Sequence, residues 1–192
     1  EIKDSGGESI LEKFYADQEG YAFSFQIMAY ITRLRKMLQI IEHCNPNSII
    51  VCERSLETDK YVFAKMLYDN KKIRDIDWCI YNYWFNTFLE KIKTNLIIYI
   101  QTSPENCYKR IIKRNRKGEE NIPLEYLQSC NIYHESWLKQ GDIQIQMLDG
   151  NIDMNNEIQY NHLLNSVEKA IYNVHGQSAS CRKALCGNSY LV

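Results

Sequence analysis

Ile49-Ile50-Val51-Cys52-Glu53-Arg54-Ser55 is an apolar run that passes directly into an acid, a base and a hydroxyl. The apolar part reads as a buried strand. Its charged side chains then emerge at the carboxyl end, the edge at which open parallel α/β sheets bind ligands. An acid and a base placed there cost desolvation, which makes a purely structural use the weaker explanation. Two further strands follow, residues 96–101 (Leu-Ile-Ile-Tyr-Ile-Gln) and residues 143–148, where Ile and Gln alternate. Helical patterns separate all three, which predicts an α/β fold with a parallel sheet covered on both faces.

The helices are expected over residues 10–15, 22–43, 56–68, 75–91, 104–116, 123–137 and 160–172. Residues 17–20 read as a polar turn, and Asn45-Pro46-Asn47 ends the long helix, because a residue before Pro disfavours the helical region. Thr102-Ser103-Pro104-Glu105 combines a hydroxyl cap, Pro at the first helical position and an acid in the first turn. No internal repeat or domain boundary is visible, and one domain over residues 1–174 is expected. The tail, 175–192, is small, polar and aperiodic, and no structure is assigned to it.

Composition narrows the class. A chain of 192 residues with 45% hydrophobic content buries a proper core. Its apolar runs are far too short to span a membrane. A formal net charge of −1 argues against a dedicated nucleic-acid binder. The seven cysteines form no Cys-x-x-Cys pair and the four histidines show no ligand spacing. A reduced cytosolic or organellar compartment is the simplest account, and no structural zinc is expected.

Several side chains carry recognisable chemistry. Residues 109–117 hold six basic groups in nine positions, and Arg110, Arg114 and Arg116 would grip a polyphosphate bidentately. The segment also fits a solvated face or a nucleic-acid patch. Its place after a capped helix and before Gly118-Glu119-Glu120 favours a mobile lid over phosphates. With Glu53-Arg54, this implies phosphoryl transfer, although no G-x-x-x-x-G-K-[ST] loop occurs in the sequence. Gln26, Tyr30 and Arg33 share a helix face, and a Gln amide offers the paired donor and acceptor that a nucleobase edge needs. Phe25 and Phe63 offer stacking surface. On spacing alone, a solvated Gln and Arg are the simpler reading of that face. Arg33 and Asp59, from different helices, would flank one pocket if paired, with two exposed charges the simpler account.

These motifs together resemble the deoxyribonucleoside kinases. The resemblance rests on Tyr15, Phe23-Ser24-Phe25-Gln26, Glu53-Arg54-Ser55 and Asp59-Lys60-Tyr61-Val62-Phe63. It continues through Arg110-x-x-x-Arg114-x-Arg116, Ile122-Pro123-Leu124-Glu125-Tyr126-Leu127 and His134-Glu135-Ser136-Trp137-Leu138. It implies a P-loop-kinase-like three-layer fold, and transfer of the γ-phosphoryl of ATP or another NTP to a deoxynucleoside 5′-hydroxyl with Mg²⁺. It gives Gln26 to the base, Phe63 to stacking, and Tyr15 with Glu119 (Glu120 adjoins it) to the sugar 3′-hydroxyl. Arg54 falls near the 5′-oxygen, Glu53 near magnesium, and Arg110, Arg114 and Arg116 on the donor phosphates. Arg33 with Asp59 resembles the members that take cytosine or purine nucleosides, and a homodimer is implied.

The sequence departs from the family in three places. The family's first strands, with the phosphate-binding loop and the catalytic carboxylate, would precede Gly6 and are absent, so a fragment is the expectation. The insert between Leu138 and Ile143 is short, and the tail matches nothing in the family. A catalytically inactive binding or structural subunit is the alternative. A nucleoside monophosphate kinase shares the fold but is disfavoured by the Phe-Gln and Glu-Arg-Ser motifs.

Overall fold

The structure is a computed structural model describing residues 2–45, 48–89, 91–116, 119, 122–140, 143–175 and 183–185. The Pro46-Asn47 break, most of the polar loop including Glu120, the insert residues Gly141-Asp142, Cys181 and Cys186 lie outside that set. Two compact units divide the chain: Glu1–Lys93 with Ser180–Val192, and Thr94–Ala179.

In the first unit α1 (Ile10–Ala16) opens with a capping box: the Ser9 hydroxyl accepts from Glu12 N–H, and the Glu12 carboxylate accepts from Ser9 N–H. Helix α2 (Gln18–His43) begins earlier than its apolar period predicts. Asp17, read as part of a turn, is its N-cap and accepts from Gly20 N–H at 3.0 Å. A cap and a first turn are polar, so they carry no hydrophobic period. After β1 (Ile49–Val51), Ser55 caps α3 (Leu56–Thr58). That helix widens into a π-helical segment, Asp59–Ala64, and continues as α4 (Lys65–Asp69). Helix α5 (Asp75–Leu89) supplies Tyr81 and Phe85 to a core shared with Tyr30 and Leu34 of α2, Leu56, Ala64 and Ile92. A second cluster joins Phe14, Ala22, Leu67 and Ile73.

The second unit runs β2 (Leu96–Gln101), α6 (Pro104–Arg114), α7 (Leu124–Leu138), β3 (Gln144–Asp149) and α8 (Glu157–His175). Strands β2 and β3 pair in parallel, from Leu96 opposite Gln144 to Gln101 opposite Asp149, with α6 and α7 as the crossover. Helix α8 packs on both strands. Ser103 caps α6 by accepting from Asn106 N–H, with Pro104 at the first helical position.

Two expectations change. The strands are not fully buried: Val51 is 39% exposed, Ile100 45% and Met147 54%. Among the described residues each strand has a single partner, β1 with β4 (Lys183–Leu185) and β2 with β3. A two-stranded ribbon leaves every strand an edge, and much of its surface stays open. Residues 183–185, read without structure, pair in parallel with residues 49–51. Three residues are too few to show a period. Among the described residues no helix is long and apolar enough to cross a membrane.

Candidate functional site

In the first unit the site grows from α2. Gln26 and Tyr30 are buried on its inner face, and Arg33 follows one turn later, 20% exposed. Arg33 Nε donates to Asp59 Oδ2 at 2.7 Å and Nη2 to Oδ1 at 3.4 Å. Its Nη1 donates to the Glu53 carbonyl at 3.0 Å. One guanidinium therefore ties α2, the π-helical segment and the end of β1 together. The simpler reading of two exposed charges is overturned, because Asp59 is 3% exposed and its carboxylate is held from a different helix. Sequence spacing could not show this, since the partners are 26 residues apart.

Burial pushes the Asp59 carboxyl above the usual carboxylate range, and Arg33 foremost, then Arg54, pull it back. The widened turn carries both Asp59 and Phe63, and such π-helical turns concentrate at functional sites. Arg54 sits beyond β1 with φ 64°, a left-handed conformation uncommon outside glycine. Its exposed guanidinium lies 4.6 Å from the centre of the Phe63 ring. Glu53 is exposed beside it. Phe25 stacks on Phe14, centroids 4.6 Å apart and planes 12° from parallel, and the exposed Tyr15 adjoins Phe14. The structure thus gathers Arg33, Glu53, Arg54, Asp59 and Phe63. Gln26 stands two turns before Arg33 on α2, and Tyr15 and Phe25 belong to the Phe14 cluster.

Two residues escaped the sequence reading. Lys60 is buried with Nζ 4.2 Å from the Phe85 ring centre, and burial pushes its amine below the usual lysine range. Tyr81 is wholly buried, and its hydroxyl has no hydrogen-bond partner among the described residues. Nothing in an aromatic-rich helix singles out one tyrosine.

In the second unit the basic run leaves α6 at Arg114, two residues before the predicted end, because Asn115 adopts the left-handed conformation (φ 48°, ψ 49°) that stops helices. Arg114 donates through Nε and Nη2 to Glu119 Oε2, at 3.2 and 2.7 Å, and Arg116 Nη1 lies 3.6 Å from Oε1. Glu119 is buried between them. Arg110 Nη2 donates to the Gly150 and Ile152 carbonyls at 2.7 and 2.8 Å, fastening α6 to the exit of β3. Among the described residues no three His, Cys, Asp or Glu side chains cluster as a metal site.

Comparison with known proteins follows from this geometry. The sequence pattern described as "Deoxynucleoside kinase" matches residues 2–172. Deoxycytidine kinase 2 of Gallus gallus is 34% identical over 182 residues, covering 85% of this chain and 68% of that protein. Mitochondrial thymidine kinase 2 of Homo sapiens is 33% identical over 141 residues, covering 71% of this chain. The chain spans only 51% of that human protein's length. Among solved structures, deoxyadenosine kinase from M. mycoides with bound dCTP superposes with a TM-score of 0.67 at 23% identity. That match covers 88% of this chain and 84% of the other, and it establishes the likeness of fold.

Proposed function

The chain belongs to the deoxynucleoside kinase family, and from that premise we propose that it serves transfer of the γ-phosphoryl of ATP or another NTP to the 5′-hydroxyl of a deoxynucleoside. The observation that carries the reading is the Arg33–Asp59 pair, a buried carboxylate bonded to a guanidinium from α2. A carboxylate bonded to a guanidinium in a desolvated place can accept from an exocyclic amino group, while the Gln26 amide meets the base edge. An amino-bearing base, cytosine or a purine, is therefore the expected acceptor. Phe63 and Phe25 offer it stacking surface, and Tyr15 and Glu119 are assigned to the sugar 3′-hydroxyl. Arg54, fixed in a left-handed turn at the strand end, is assigned to the 5′-oxygen.

Arg114 and Arg116 are assigned to the donor phosphates. Both now face Glu119, so a donor would have to exchange with that carboxylate. Arg110, already bonded through Nη2 to the backbone, contributes from its anchored place on α6. Magnesium is commonly held by one or two carboxylates together with phosphate oxygens and water. The exposed Glu53 carboxylate fits one such position, and bound Mg²⁺ would neutralise phosphate charge. Phosphoryl transfer of this kind rests on positioning and charge stabilisation rather than covalent chemistry.

A homodimer is also proposed, supported by an exposed apolar stripe of Ile76, Ile80, Tyr83 and Trp84 on α5. Free thiols at Cys44, Cys79 and Cys107 agree with a reducing cytosolic or mitochondrial compartment.

The test is a coupled kinase assay with deoxycytidine, deoxyadenosine, deoxyguanosine and thymidine, run on the full-length protein and on its Arg54→Ala variant. The expected result is phosphorylation of amino-bearing nucleosides, cut at least ~100-fold by the substitution with folding retained. Near-normal turnover in the variant would remove the assigned role of Arg54.

A further inference from the structure

Tyr81 presents a cost without a visible return. It is 0% exposed, and among the described residues its hydroxyl meets no hydrogen-bond partner. A buried polar group left unpaired is unfavourable, and phenylalanine would fill the same space without it. The ring packs against Tyr30 of α2, with centroids 5.6 Å apart, and Tyr30 stands one turn before Arg33. It shares the core with Leu56 and Ala64, which bracket the π-helical segment carrying Asp59. Tyr30 spends its own hydroxyl on the Trp84 carbonyl at 3.2 Å. Burial pushes the Tyr81 phenol far above its usual range, and the negative charge of Asp59 adds to that push.

Asp59 has room for another donor. A carboxylate offers about four acceptor positions. Arg33 fills one well, at 2.7 Å, and a second loosely, at 3.4 Å. We propose that Tyr81 is a positioning residue for base recognition: its hydroxyl is the reserve donor that holds the Asp59 carboxylate, directly or through one water, when an amino group of the base engages it. The inference rests on the nucleoside-pocket reading above and deepens it, extending the discriminating element from a pair to a triad drawn from three helices. A base without an exocyclic amino group gains nothing from the third member.

The experiment is calorimetric titration of the 192-residue chain, wild type and Tyr81→Phe, with deoxycytidine, deoxyadenosine, deoxyguanosine and thymidine. The expected result is a loss of roughly 5–10-fold in affinity for the amino-bearing nucleosides, the size of one hydrogen bond, with thymidine changed less than about twofold. The unliganded variant should melt at the same temperature as wild type or higher. Equal affinities for all four nucleosides, or a uniform loss across them, would overturn the proposal in favour of plain packing. A lower melting temperature would show the hydroxyl already bonded without ligand and would also overturn it. A wild-type chain that binds none of the four removes the pocket reading itself, and the inference falls with it.

Discussion

Each unit carries an arginine bonded to a buried carboxylate at 2.7 Å, yet the two pairs are built differently. Arg33 reaches across 26 residues of sequence to Asp59, is 20% exposed, and also holds the Glu53 carbonyl. Arg114 reaches only five residues to Glu119 and is 52% exposed. The surroundings differ in the same sense. The first unit builds a core that includes Tyr30, Leu34, Tyr81 and Phe85, whereas neither α6 nor α7 buries a single residue. Equal bond lengths therefore do not mean equal roles. A pair that joins distant elements in a core cannot open without disturbing the fold, so it is set before a ligand arrives. A local pair whose arginine is half exposed can open at a lower cost, which is what the proposed lid requires.

The largest expected effect that sharpens this contrast is Arg33→Met. It strands the Asp59 carboxylate in a desolvated place, which should cost about 3 kcal/mol in urea unfolding. Adding Asp59→Ala should recover much of that and move substrate preference towards thymidine. A single variant as stable as wild type would make the pair merely decorative, and an unchanged substrate order in the double variant would remove the specificity argument.

The second effect is its pH dependence. Burial raises the Asp59 pKa, so between the ordinary aspartate range and that raised value the folded state holds more protons than the unfolded chain. Stability tied to this proton is present below the unfolded pKa and is lost as pH rises through the folded one. The penalty of Arg33→Met should therefore shrink as pH falls from 7 towards 5. Asp59→Asn should abolish that slope; thermal melts over this range would reveal a profile that runs the other way.

The smallest effect belongs to the second unit. Arg114→Ala should cost about 1 kcal/mol or less, because the arginine is half exposed and Arg116 remains near Glu119. A loss as large as that of Arg33→Met would erase the distinction between the two pairs.

Much of this architecture was legible beforehand. The second strand, Leu96–Gln101, is predicted to the residue, because an apolar run bounded by Asn95 and the Ser103-Pro104 cap has one reading. The start of α2 was misplaced because Asp17 and Gly20 are polar cap and first-turn residues, and the end of α6 because Asn115 turns left-handed. The exposure of β1, β2 and β3 was missed for another reason. Apolar content reports what a strand prefers to cover, and the number of neighbours it finds is decided elsewhere.

At the site, residue types at a strand end singled out Glu53 and Arg54, since that placement is a local fact, whereas Gln26, Arg33 and Asp59 were assigned only through the family resemblance, spacing alone favouring exposed side chains. Ordered motifs also identified the family. Only the tertiary structure decided that Arg33 and Asp59 form one buried pair and that Arg33 grips the Glu53 carbonyl. It likewise decided that Glu119 is bonded by Arg114, with Arg116 beside it, and that the buried Tyr81 hydroxyl meets no hydrogen-bond partner among the described residues. Chemistry is written residue by residue along the chain. Pairing and burial depend on which distant residues fold together, and no local pattern records that.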